Sequence, residues 1–332
     1  MLGALLAVLS AATFALNNAS VRRGVLTGTV GQAMAITVPL GVPLFFVAAL
    51  VTGHLGAVTE FSPKALIALS LAGILHFVWG RYCNYRATRA IGANLVAPIQ
   101  QVHLIISLSL AIWLLGEQFT VLRIFGIALV LIGPSITMRE RKRPVSDQKI
   151  TAIDAEKPPG FAPQYAEGYT FALLSAIGYG LSPILVRVGL EGKGLGVSLA
   201  GGLVAYIAAT AVMALVLLWP GNIRSALAVD RESAKWFTLS GVVVFVSQMF
   251  LYMAMSIAPV TVVSPVTRLS LLFRLHFARW INPQHEVFGG RVILGTVVSL
   301  AGAVALSLSA DTVEQLIPLP GALVSILHWH WP

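Results

Sequence analysis

Ten apolar stretches separated by short polar turns run the length of the chain, at about residues 2–21, 30–52, 63–88, 94–115, 119–138, 168–188, 195–219, 235–257, 260–281 and 288–309. Each is close to the 20 or so apolar residues that a helix needs to cross the hydrocarbon of a bilayer. Lipid offers no partner to an open backbone group, so the pattern predicts helices as the spanning form. One connection breaks the rhythm. Met138 to Gly168, "MRERKRPVSDQKITAIDAEKPPGFAPQYAEG", is charged and rich in Pro and Gly, and reads as a loop between the fifth and sixth stretches. The expected fold class is an all-α polytopic membrane protein with ten transmembrane helices.

The polar positions inside those stretches repeat. "LSAATFALNNASVRRGV" from Leu9 returns as "LSAIGYGLSPILVRVGL" from Leu174, with seven identical positions. Tyr85, Ala87, Pro98 and Trp113 recur as Tyr252, Ala254, Pro265 and Trp280, each 167 residues on. After a two-residue insertion, Glu117, Phe119, Gly126 and Gly133 recur as Glu286, Phe288, Gly295 and Gly302. Apolar helices resemble one another, but Arg, Glu, Pro and Trp returning in order are not explained by composition. Five spans per half is an odd number, so the second half crosses in the opposite sense. An inverted repeat of this kind is common among secondary transporters, with the site between the halves near the midplane. The chain divides into a first repeat at 1–138, a basic linker at 139–167, a second repeat at 168–310 and a tail at 311–332.

Composition agrees with the pattern. The 332 residues are 57% hydrophobic and 11% charged, with a mean hydropathy of +0.84; soluble domains carry roughly 25% charged residues. A net charge of +9 raises the question of nucleic acid. The basic residues lie between apolar runs, where cytoplasmic loops and anionic headgroups account for them, so no nucleic acid is expected. One cysteine, Cys83, allows no internal disulfide and no thiolate metal cage. The start "MLGALLAVLS" has no basic n-region or clear cleavage site and reads as a retained first span.

Tyr85-x-Ala87, Pro98 in the next span, Gly116-Glu117 and the Gly126/Gly133 spacing, set in two five-span halves, resemble the drug/metabolite transporter superfamily, in particular its EamA-type members. The resemblance covers about residues 2–310. It implies a carrier fold and is poor for substrate, since such families carry amino acids, sugars, nucleotide sugars and drugs. The second half departs from the pattern: "WINPQHE" stands where the first has "WLLGE". Relatives usually hold both termini in the cytoplasm. The charges point the other way: fifteen Lys and Arg fall on the side of the long loop and four on the other. "RERKR" follows directly on a span, where the positive-inside rule is strongest, so we follow the charges and expect both termini outside.

Three arginines, Arg81, Arg268 and Arg274, fall within spans. A charge at the bilayer centre costs at least ~2.5 kcal/mol, so such residues face a cavity or snorkel. Arg268 lies eight residues into its stretch, roughly 12 Å deep at 1.5 Å per residue. Arg81 and Arg274 are nearer an end, where long stems reach headgroups. On a helix, Arg81, Asn84 and Tyr85 fall within one third of a turn. Asn94, Pro98 and Gln101 share a face, as do Thr261, Pro265 and Arg268. Pro98 and Pro265 are candidate hinges, each freeing a carbonyl four residues earlier; a packing kink is the plainer alternative. Ser10, Thr13 and Asn17 share a face too, where close helix packing competes with solute contact. Trp79, His76, Gln100 and His103 complete the cavity candidates. The substrate-binding set expected is Arg268, Arg81, Asn84, Tyr85, Asn17, Gln101, Trp79 and His103.

No nucleotide-binding or metalloprotease motif occurs, no catalytic constellation gathers on one face, and no metal or other cofactor is expected. The predicted interior holds no Asp or Glu, since Glu117 and Glu286 sit at helix ends. A cationic drug would need a buried carboxylate; buried arginines favour an anion or zwitterion instead. The expectation is a multi-pass, bacterial-type inner-membrane secondary transporter of small polar metabolites, acting by alternating access. A lipid-linked or headgroup flippase is the first alternative and a membrane-embedded enzyme the second. The partners expected are a small-molecule substrate and the lipid bilayer, with a homodimer compatible.

Overall fold

Helix starts are written locally. Thr29 and Gln32 form a capping box: the Thr29 side chain accepts from the Gln32 N–H (3.2 Å) and the Gln32 Oε1 from the Thr29 N–H (2.8 Å). Ser62 accepts from the Ala65 N–H before a proline at the first helical turn, and Asp230 accepts from the Ser233 N–H. The structure, a computed structural model, describes residues 1–25, 27–91, 96, 99–100, 102–116, 119–140, 164–281, 290–308, 310–316 and 320–331. Pro98, Gln101, Glu117, Glu286 and the body of the linker lie outside the described residues.

The helices are α1 (Leu2–Gly24), α2 (Val30–Thr37), α3 (Gly41–Val51), α4 (Pro63–Gly73), α5 (Arg81–Ile91), α6 (Val102–Leu115), α7 (Val121–Glu140), α8 (Tyr165–Leu190), α9 (Leu195–Leu217), α10 (Asn222–Leu227), α11 (Arg231–Ile257), α12 (Val260–Val266), α13 (Ser270–Ile281), α14 (Gly290–Ser307), α15 (Ala310–Leu316) and α16 (Gly321–Leu327). Helix therefore stands at each of the ten expected places. Among the described residues, six stretches are long and apolar enough to cross a membrane: Leu2–Val21, Val30–Val51, Pro63–Ala87, Tyr165–Leu190, Leu195–Leu217 and Arg231–Ile257.

Continuity differs from the expectation in three places. The second stretch is divided between α2 and α3, where Pro39 supplies no N–H. The third carries a π-helical segment, Ile74–Gly80, between α4 and α5. The ninth tightens to a 3₁₀ turn at Thr267–Leu269, directly after Pro265. The tail is not detached: β2 (His330–Trp331) pairs antiparallel with β1 (Phe119–Thr120), beyond a turn at Gly116 whose φ of 64° favours glycine.

Contacts at the helix ends give each span a direction. Thr27 donates to Asp230 (3.1 Å), Gln32 to the Ser225 carbonyl (2.8 Å), Arg86 to Glu167 (2.6 Å), and the Gln164 N–H to the Ala90 carbonyl (3.0 Å). Residues 27–32, 86–90, 164–167 and 225–233 thus share one end, the linker end. Gly3 abuts Ala258, His54 abuts Gly196, and Arg187 donates to the Met255 carbonyl (2.8 Å), which gathers the other end. So α1 and α8, at corresponding places in the two halves, run in opposite directions. The same holds for α2–α3 against α9 and for α4–α5 against α11. Packing is matched as well. α1 lies along α11, and α8 lies along α4 and α5; α1 also meets α12 and α13, and α8 meets α6. α7 lies along α14.

The core between α3, α4, α9 and α11 is aromatic: Phe77 stacks on Tyr206 at 4.0 Å, and Phe45 meets Tyr206 at 5.2 Å and Phe245 edge-on at 4.8 Å. Small residues let backbones touch beside it. At Gly73 a Cβ would stand 2.0 Å from the Ala205 carbonyl oxygen, so α4 and α9 meet backbone to backbone.

Candidate functional site

Between the halves, near the middle of their helices, lies a cavity of about 90 Å³. Residues of α1, the π-helical segment, α5, α6, α8, α11, α12, the 3₁₀ turn and α13 line it. A larger recess, about 500 Å³, opens at the linker end around Tyr82, Arg86, Arg89 and Glu167. Its acid is already matched: Glu167 pairs with Arg86, whose guanidinium also lies 4.4 Å from the Phe171 ring centre. We take the smaller cavity as the candidate site, because both halves build it and its polar groups are incompletely matched.

Arg268 is the centre of its charge. The kink after Pro265 turns the guanidinium inward, where Nη1 lies 3.3 Å from His103 Nδ1. Its Nε is buried with no hydrogen-bond partner among the described residues. Opposite, His76 sets Nδ1 at 2.8 Å from Ser182 Oγ and Nε2 at 3.4 Å from the Gln248 amide nitrogen. Gln100 donates to Asn84 Oδ1 (2.7 Å) and Ser175 Oγ (3.1 Å). Ser247 donates to the Ser10 carbonyl (2.9 Å). Tyr179, Asn18 and Arg274 complete the polar wall. No Asp or Glu stands among the described lining residues. No group of three metal-ligating side chains gathers among the described residues.

Of the residues singled out from the sequence, Arg268, Asn84 and His103 line the cavity, with His76, Gln100 and Arg274 beside them. Pro265 is buried at the kink that aims Arg268. Four candidates sit elsewhere. Arg81 is 3% exposed and donates to Thr37 Oγ1 (3.3 Å), with its guanidinium 5.3 Å from the Phe77 ring centre; it lies in the aromatic core, off the cavity lining. Tyr85 is buried in the same core. Asn17 accepts from Ser240 (2.6 Å) and fastens α1 to α11, while its neighbour Asn18 reaches the cavity. Trp79 is 47% exposed and donates to the Leu174 carbonyl (3.1 Å) on the outer surface. Pro98 and Gln101 lie outside the described residues.

Sequence reasoning passed over Tyr179 and Gln248. The repeat contained both. Tyr179 stands 165 residues after Phe14, as Ser175 does after Ser10, and Phe14 also lines the cavity. Gln248 stands 167 after Arg81. Asn84 with Leu251, and Gln100 with Thr267, are further pairs at that offset in which both members reach the wall.

Residues 1–139 match the family model described as the EamA-like transporter family, so the resemblance read from the sequence is shown over the first half. The match over these residues and the six apolar helices support a multi-pass membrane protein. No curated protein matches the chain. One solved structure, described only as "Crystal structure of protein", has a TM-score of 0.63 at 15% identity, over 92% of this chain and 95% of that one. At that identity the likeness concerns the fold alone.

Proposed function

We propose that the chain is a secondary transporter of small organic anions or zwitterions, carried through the central cavity by alternating access between two inverted five-span halves. The observation that carries the reading is Arg268: a half-buried arginine in the cavity wall, with a buried and unmatched Nε–H, in a cavity whose described lining contains no carboxylate. A carboxylate or phosphate would supply the missing acceptor and the missing charge, and guanidinium binds either in a planar fork. The opposite running of corresponding helices, and their matched packing, support the inverted-repeat part. A lipid-headgroup flippase would need a side opening from the cavity onto lipid.

The test is a thermal-unfolding screen of the purified protein against a library of small metabolites. Ligands that bind the native state raise the midpoint by mass action. Small carboxylates or phosphates should raise it and organic cations should not; stabilisation by cations alone would defeat the proposal.

Orientation belongs to the same reading. The linker end carries Arg23, Arg86, Arg89, Arg224, Arg231 and Lys235, and the other end Lys64, Arg123, Arg187 and Lys193, a bias from which we assign the linker end to the cytoplasm of an inner-membrane protein. With Cys83 replaced, a membrane-impermeant thiol reagent added outside should label Gly56→Cys and spare Ser146→Cys. Labelling of Ser146→Cys alone would invert the topology.

A further inference from the structure

We propose that the carrier is proton-coupled through His76, which takes up a proton as an anion enters the cavity and releases it with that anion on the other side. The inference rests on the anion-carrier reading above and adds the coupling ion. His76 lies on the π-helical segment, a departure from α geometry that recurs at functional sites. It borders two spaces: the central cavity, and a smaller one toward the end opposite the linker, lined by Ser182, Val186, Tyr252 and Met255. His76 and Gln248 line both spaces, together with Pro183, Leu251 and Met255.

Both ring nitrogens face groups that can reverse. Ser182 Oγ, 2.8 Å from Nδ1, is a hydroxyl that donates or accepts. The Gln248 amide presents its nitrogen 3.4 Å from Nε2, while its Oε1 is buried with no partner among the described residues. Rotating that amide by half a turn offers Oε1 to an Nε2–H. The neutral ring is matched by the amide as it stands, and the imidazolium by the rotated amide, so neither state strands a ring nitrogen. His103 is placed differently: its Nδ1 meets both an Arg268 N–H and the Gln100 carbonyl, one donor and one acceptor competing for a single atom.

The charged and titratable groups around His76 are Arg81 of α5, Arg268 of the 3₁₀ turn, Arg274 of α13 in the same cavity wall, His103 of α6 and Tyr179 of α8, with Tyr252 of α11 beside the smaller space. Tyr206 of α9 stacks on the adjacent Phe77. Three of these are permanent cations, and no carboxylate stands among the described lining residues. A further positive charge is opposed until an anion occupies the cavity. Anion and proton therefore favour each other's binding, and the linkage is reciprocal. The step forms one N–H bond, breaks it on the far side, and involves no redox chemistry.

The experiment is titration calorimetry of the full-length protein in nanodiscs with lactate, succinate and sulfate, at about pH 7, in two buffers of different protonation enthalpy. The buffer dependence of the heat counts protons taken up per anion. Wild type should take up a proton with each anion bound, His276→Gln, at a histidine outside the cavity lining, should still do so, and His76→Gln should bind the anion without proton uptake. Where His76→Gln does not fold, Gln248→Met, which keeps the imidazole and removes its reversible partner, should reduce the uptake. Binding with no proton uptake in wild type, or unchanged uptake in His76→Gln, overturns the coupling and leaves the anion-carrier reading standing. Absence of binding by every anion overturns both.

Discussion

Arg268→Gln should abolish anion binding in the central cavity while leaving the protein folded. An anion held at mid-membrane depth depends on a charge-assisted contact, and truncating one partner of a buried charged pair costs about 2–5 kcal/mol. That corresponds to a loss of roughly 30-fold to several thousand-fold, at 1.4 kcal/mol per factor of ten. The fold should tolerate the change, because glutamine is the residue at the equivalent place in the first half, Gln101, 167 residues earlier. Arg268→Lys keeps the charge and loses the planar fork, so it should bind more weakly than wild type and better than Arg268→Gln. Affinity by calorimetry and monodispersity by size exclusion check both parts. Undiminished binding in Arg268→Gln would make the arginine structural and a neutral solute the better reading.

Gly73→Val should cost the fold itself. The added Cβ would meet the Ala205 carbonyl oxygen at 2.0 Å, and neither backbone can give way without separating α4 from α9. Overpacking of this kind costs about 1–3 kcal/mol or more. The His76 segment begins at the next residue, so the cavity wall should be displaced with it. Gly56→Val is the control, since nothing stands within 4 Å of its added Cβ. The yield of monodisperse protein should collapse for Gly73→Val and be unchanged for Gly56→Val. Equal yields would show that α4 and α9 are not held at that point.

The division between what the sequence disclosed and what it withheld follows from what helical phase can resolve. Apolar length disclosed the places of the helices, and Pro265 followed by Arg268 disclosed the kinked, charged wall of the cavity. The face of Arg81, Asn84 and Tyr85 was too coarse. At about 100° per residue, Asn84 lies to one side of Arg81 and Tyr85 to the other. That difference sends Asn84 to the cavity and Tyr85 with Arg81 into the aromatic core. Asn17 and Asn18 divide in the same way, one to helix packing and one to the cavity. The π-helical segment was not legible, because nothing in "ILHFVWG" announces wider hydrogen bonds. It changes the phase of every residue it contains, placing His76 inward and Trp79 outward. Gln248 and Tyr179 become visible only when the repeat offset is applied to residues whose types differ between the halves.

Counterflow reads out whether an anion crosses the membrane through the cavity shared by the two halves. Proteoliposomes loaded with an unlabelled anion that stabilises the protein are diluted into a trace of the same anion carrying a radiolabel. Label should accumulate transiently in vesicles bearing the wild-type protein and not in vesicles bearing Arg268→Gln. Equal label with and without the wild-type protein, or accumulation that Arg268→Gln leaves intact, would contradict such a crossing.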